Sequence, residues 1–142
     1  MSHYKAVIFD YHGVLLKRFR LQTGVYSFAQ ELHEDGYQVA VLSNLITPIA
    51  FVVKRLKHLD SFETRIISCD VGMAKPNPLI YKLMLERLSL RPEECIFVDN
   101  RPRNLAPAAA MGMGIVHAKN TQQIIHDVRE LLNTGERETS AS

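Results

Sequence analysis

The chain has little that would place it outside the cell or against a membrane. It carries only two cysteines, Cys69 and Cys95, and neither belongs to a C-x-x-C pair. A disulfide framework is therefore not expected, and each thiol, lying beside an apolar run, reads as a reduced, buried small hydrophobe. Long hydrophobic runs are also lacking. The first one, Ala6–Phe9, is cut short by Asp10, so no stretch resembles a signal peptide or a bilayer span. A cytoplasmic location is the default expectation. Charge of one sign is scarce too: 17 Lys and Arg against 15 Asp and Glu leave a net charge of +2, too small to point to nucleic acid. Neither nucleic acid nor a membrane is expected as a partner. No segment repeats, and the one compositional break is the small, polar tail 135–142 (GERETSAS), which is expected to fray. Residues 1–134 are left as one domain, long enough to bury a core without staples.

What is present alternates regularly. Short apolar runs at Lys5–Phe9, Gln38–Leu42, Arg65–Ser68, Cys95–Val98 and Gly114–His117 are strand candidates, apolar on both faces as in a covered parallel sheet. Helical spacing lies between them. Val25, Phe28, Ala29 and Leu32 form one stripe. Ile49, Val52, Val53 and Leu56 form another, with Thr47 as N-cap and Pro48 in the first helical position. Asn77-Pro78 opens a third helix with Ile80, Met84 and Leu88 on its apolar face. A fourth runs from about Arg103 to Met111, and Thr121 opens a fifth with Ile124, Val128 and Leu131. The pattern predicts an α/β fold: a single doubly wound, Rossmann-like three-layer domain around a five-stranded parallel sheet.

In such a sheet, ligands bind beyond the C-terminal ends of the strands. Asp10, Tyr11, His12 and Gly13 follow the first strand, Ser43-Asn44 the second, and Asp99-Asn100-Arg101 the fourth. Lys75 precedes the third helix. Taken singly, each is an ordinary turn former, cap or solvated cation. Together they bring carboxylates, a hydroxyl and an ammonium from four distant segments to one sheet edge. That set suits phosphoryl transfer. A carboxylate can attack phosphorus and form an acyl phosphate, paired carboxylates can bind Mg²⁺, and a hydroxyl and an ammonium can hold the transferring oxygens.

From about Tyr4 to Asn120 the sequence resembles the haloacid dehalogenase superfamily. Four motifs appear in order: Val7-Ile8-Phe9-Asp10-Tyr11-His12-Gly13-Val14-Leu15, Val41-Leu42-Ser43-Asn44, Lys75-Pro76 and Phe97-Val98-Asp99-Asn100. The second half, from Ser68 through Met113, is similar to sugar-phosphate phosphatases and to the phosphatase domain of soluble epoxide hydrolases. The resemblance implies a Mg²⁺-dependent phosphomonoester hydrolase acting on a phosphorylated small molecule or another anion. It implies Asp10 as nucleophile and metal ligand, and the backbone carbonyl of His12 as a second ligand. Ser43, Asn44 and Lys75 would bind the phosphoryl group, and Asp99 and Asn100 would complete the metal site.

Three departures from the family pattern bear on activity. His12 stands where family phosphatases place an acid/base Asp, and an imidazole is a common general acid and base. Asn100 stands where a second acid is usual, which should weaken Mg²⁺ binding. Only a short segment follows Leu15 in place of a helical cap, so the site is expected to be open to solvent or roofed by another copy in a homo-oligomer. The rival readings are a catalytically weak or inactive binding or regulatory protein and, third, a metal-independent haloacid dehalogenase. The last needs a closed apolar pocket that a capless chain is poorly placed to build. Lys17, Arg18, Arg20, Arg101 and Arg103 are expected near the same edge, either steering an anion or simply solvated. His3, His33, His58, His117 and His126 show no metal-ligand spacing.

Overall fold

The computed structural model describes residues 3–141, and side chains through residue 134. In chain order it runs β1 (Ala6–Phe9), a hairpin of β2 (Leu16–Lys17) and β3 (Arg20–Leu21), α1 (Thr23–Glu34), β4 (Gln38–Ser43), α2 (Thr47–Val53) and β5 (Thr64–Ile67). Then follow α3 (Ser68–Val71), α4 (Pro78–Leu88), β6 (Cys95–Asp99), α5 (Pro102–Met111), β7 (Gly114–His117) and α6 (Thr121–Ala141). The five longer strands form one parallel sheet in the order β5-β4-β1-β6-β7. The chain winds outward from β1 to β5, then returns to β6 on the other side of β1. The winding therefore reverses between β1 and β6, where an open α/β sheet leaves a crevice for ligands.

Residue parity builds the two cores, because successive strand side chains point to opposite faces. Val7, Phe9, Val39, Val41, Ile96 and Val98 pack against α1 and α6. Ala6, Ile8, Ala40, Leu42, Cys95 and Phe97 pack against α4 and α5. Covering both faces makes the strands continuously apolar, which is why they were legible as short hydrophobic runs. The α1 stripe of Val25, Phe28, Ala29 and Leu32 is buried as its spacing predicts. Truncating a buried aromatic such as Phe28 to Ala costs about 3–5 kcal/mol. Asn77 caps α4 by accepting from the Leu79 N–H at 3.0 Å, and Pro78 takes the first position, where no N–H is needed.

Strand ends differ from the sequence reading by at most a residue, and two features differ more. The N-cap of α2 is Ile46, one residue before the expected Thr47, and the buried side chains are Ala50 and Val53. Ile49, Val52 and Leu56, expected inside, are exposed. This helix has apolar residues all round, so periodicity alone could not choose the face that meets the sheet. Cys69 is exposed on α3, whereas Cys95 is buried in β6 as expected. The segment after Leu15 is ordered as the β2–β3 hairpin, and nothing larger stands between β1 and α1. Its two-residue turn, Arg18-Phe19, has φ of 51° and 64°, the positive pair that matches the twist of a tight hairpin. Phe19 is fully exposed at its tip. The expected tail from residue 135 falls where side chains lie outside the described residues, although the helical backbone continues to Ala141. No described helix is long and apolar enough to cross a membrane.

Candidate active site

Asp10 follows β1 and Asp99 ends β6, and the two strands pair with Phe9 opposite Val98. The two carboxylates therefore meet at the switch point. Lys75, from the loop before α4, reaches between them. Its Nζ donates to Asp10 Oδ1 at 2.7 Å, to Asp99 Oδ2 at 2.9 Å and to the Leu42 carbonyl at 2.8 Å. Those are all three donors an ammonium has. The cluster is nearly closed: Asp10 is 5% exposed, Lys75 4% and Asp99 0%. One buried cation faces two buried acids. Burial pushes the Asp10 carboxyl from 3.8 up to about 6; Lys75 opposes the rise and the Asp99 charge adds to it.

The surroundings fix these groups. Asp99 also accepts from the Arg101 backbone N–H at 2.9 Å and from Asn104 Nδ2 at 3.3 Å. Asn44, expected at the phosphoryl group, uses both ends of its amide on the Lys75 backbone: Nδ2 donates to the carbonyl and Oδ1 accepts from the N–H, each at 2.9 Å. It sets the position of Lys75. Asn100 presses its carboxamide against both acids. With nitrogen inward it donates to Asp10 Oδ2 at 3.1 Å and to Asp99 Oδ1 at 3.3 Å. This closeness requires glycine at 13, where φ is +100° and a Cβ would collide with the Asn100 side chain. Tyr11 turns away from the cluster and hydrogen-bonds His58 Nε2 at 2.9 Å, stacked on its ring.

Ser43 ends β4, next to the Leu42 carbonyl that binds Lys75. Its Oγ is buried and has no hydrogen-bond partner. His12 is exposed, and among the described residues its ring makes no hydrogen bond or ion pair. The structure thus joins Asp10, Lys75, Asp99, Asn100 and Asn44 by direct contacts, sets Ser43 beside them, and leaves the His12 ring at the solvent side. Lys17, Arg18, Arg20, Arg101 and Arg103 are exposed and form no ion pair among the described residues. Sequence reasoning passed over Asn104, whose place in the first turn of α5 reads only as helix chemistry. It also passed over His117, whose Nε2 lies 3.1 Å from the Asn100 carbonyl oxygen.

The donor set suits a hard cation more than a soft one. No group of three or more His, Cys, Asp or Glu side chains gathers among the described residues. Two carboxylates and a carboxamide nevertheless face one another, and an all-oxygen set with one or two carboxylates is what Mg²⁺ accepts when substrate and water complete its shell. The Asn100 amide fits either state, offering nitrogen to the bare acids and oxygen to an ion between them.

The chain belongs to the haloacid dehalogenase-like hydrolase family, whose model matches residues 19–112. That span holds Ser43, Lys75 and Asp99 and begins beyond Asp10. Bifunctional epoxide hydrolase 2 of Rattus norvegicus is 38% identical over 73 residues, 51% of this chain and 13% of the relative. Flavin mononucleotide hydrolase 1 of Arabidopsis thaliana is 28% identical over 108 residues, 76% of this chain and 44% of the relative. The chain therefore spans less than half the length of these curated relatives. A haloacid-dehalogenase-family enzyme of Bacteroides thetaiotaomicron, solved with magnesium and inorganic phosphate, shares the fold. Its TM-score is 0.71 at 21% identity, covering 82% of this chain and 95% of that one.

Proposed function

We propose that the chain is a Mg²⁺-dependent phosphomonoester hydrolase working through an aspartyl-phosphate at Asp10. Ser43 Oγ carries this reading: it is a buried hydroxyl without a partner at the edge where Lys75 fixes both carboxylates. An unsatisfied buried polar group costs about 1–3 kcal/mol, and a phosphoryl oxygen accepting from Ser43 removes that cost. Lys75 holds the Asp10 carboxylate in place and offsets the charge of an incoming dianion. A carboxylate oxygen of Asp10 attacks phosphorus, the bond from phosphorus to the ester oxygen breaks, and the leaving oxygen takes a proton from the His12 imidazolium. Water then attacks the same phosphorus and passes a proton to His12, releasing inorganic phosphate and the Asp10 carboxylate. Asp10, Asp99, the Asn100 amide oxygen and the backbone carbonyl of His12 would hold Mg²⁺, which screens the acids from the substrate dianion and polarises its oxygens.

The Asn100 amide favours one alternative. Its donation into Asp10 Oδ2 would also suit a weak or inactive descendant that keeps the fold for binding. One experiment separates the two: a panel of phosphate monoesters with and without Mg²⁺, run beside Asp10→Asn. Metal-dependent phosphate release that disappears in Asp10→Asn is the expected result. Release that survives the substitution rules Asp10 out as nucleophile. A wild type that is inert, with turnover restored by His12→Asp combined with Asn100→Asp, establishes the alternative.

A further inference from the structure

A groove of about 340 Å³ opens beside the candidate site, between the β2–β3 hairpin and the start of α6. One of its walls is Gly13, which packs on the Asn100 carboxamide that touches Asp10. The groove and the nucleophile thus share a loop. Val14, Val25 and Ile124 lie beneath the groove and are buried, so its accessible walls include Gly13, Gln22, Thr121 and the two lysine stems. Two cations line the same groove: Lys17 from the hairpin and Lys119 from the loop after β7. Lys17 Nζ donates to the Lys119 carbonyl at 3.4 Å, which ties the hairpin to that loop. Among the described residues neither ammonium forms an ion pair. From outside the groove Asp127 offsets part of the Lys119 charge, and the charge that remains, together with that of Lys17, favours an anion in the groove. The transferring phosphoryl group already has Ser43 and Lys75, so these two cations are surplus to it.

We infer that the groove is a leaving-group subsite for a phosphate ester with a second anionic end. The carbon chain passes Gly13 along the lysine stems, and the distal carboxylate or phosphate meets Lys17 and Lys119. The inference rests on the phosphatase reading for its substrate, and it is tested by binding as well as by turnover. The volume is within the range of small-molecule sites, in which a few placed polar groups set orientation.

The test is calorimetric titration of the Mg²⁺-loaded protein with butylphosphonate, 4-carboxybutylphosphonate and butane-1,4-bisphosphonate at low salt. The two ligands with a charged end should bind about fivefold tighter than butylphosphonate, the upper end of the advantage a partly exposed charge pair gives. The advantage should shrink as salt rises and vanish in Lys17→Gln/Lys119→Gln. The ratio of kcat/KM for 4-carboxybutyl phosphate over butyl phosphate should follow the same course. The carboxylate and phosphonate arms tell which anion the lysines prefer. Equal affinity for all three phosphonates, or a preference that survives both substitutions, overturns the subsite even if butyl phosphate is hydrolysed. Binding with the predicted preference but no turnover of either ester upholds the subsite and removes the phosphatase reading. No binding of any phosphonate overturns both.

Discussion

Asp10→Asn should make the fold more stable at neutral pH relative to acid pH, and the size of the effect follows from the burial of this carboxyl. Asp10 is 5% exposed and its pKa is raised from 3.8 to about 6, chiefly by burial, with Asp99 adding and Lys75 opposing. A group whose pKa is higher folded than unfolded binds its proton more tightly in the folded state. Its contribution to stability is therefore fully present below the unfolded value of 3.8 and is lost as pH rises through about 6. At 1.36 kcal/mol per pH unit, that gap corresponds to about 3 kcal/mol. Asparagine does not titrate, so the variant escapes this loss. It also loses the charge-assisted bond to Lys75, which the wild type makes fully only once Asp10 is ionised and which the folded-state value already includes. The unfolding free energy of the variant minus that of the wild type should thus climb by about 2–2.5 kcal/mol between roughly pH 4 and pH 7.5, most of that total. Urea denaturation followed by circular dichroism, with a chelator present, measures it. Glu94 adds a pH dependence of opposite sign. The Arg91 backbone N–H, helped by Lys5, holds its carboxyl down at about 2, so its contribution is present above the ordinary carboxylate range and is lost as pH falls through about 2. Both proteins share that term, and it cancels in the difference. A difference that stays flat across the window, or falls with rising pH, would refute the reasoning about Asp10.

Lys75→Met leaves two buried acids without their counter-charge, and we expect a loss of about 3–5 kcal/mol in the same assay; a change below about 1 kcal/mol would show that the cluster does not depend on the ammonium. Asn100→Asp sets a third carboxylate against Asp10 and Asp99, so the metal-free protein should lose stability while Mg²⁺ affinity rises. Calorimetry showing unchanged or weaker Mg²⁺ binding counts against the ligand assignment. His12→Ala should lower kcat/KM for a phosphate ester by about 10²–10⁴-fold with little change in the unfolding midpoint, since the exposed ring makes no hydrogen bond among the described residues. An active enzyme indifferent to this change has another proton donor.

The strands and the residues that follow them were readable in the one-dimensional pattern, because a parallel sheet covered on both faces needs short, wholly apolar runs and presents whatever follows them at one edge. That logic alone places Asp10, Ser43 and Asp99 at one edge of the sheet, with Lys75 in the loop before α4. The pairwise contacts needed three dimensions. Nothing in the spacing says that β1 lies between β4 and β6, which is what lets Lys75 reach Asp10, Asp99 and the Leu42 carbonyl at once. Asn44 looked like a ligand contact because it adjoins Ser43, and it serves the Lys75 backbone because the loop before α4 folds onto it. Asn104 carries no local mark of its bond to Asp99, since a side chain on a helix's first turn reads the same whether it faces solvent or a buried acid. The face of α2 was undetermined for a related reason: with apolar residues all round a seven-residue helix, hydrophobic periodicity has no preferred direction, and only packing against the sheet selects Ala50 and Val53. A sequence records which groups a chain carries and the local geometry they favour. Which of them share a proton, a charge or a cavity depends on segments 30 to 100 residues apart coming within a few ångströms, as Lys75 does with Asp10 and Lys17 does with Lys119.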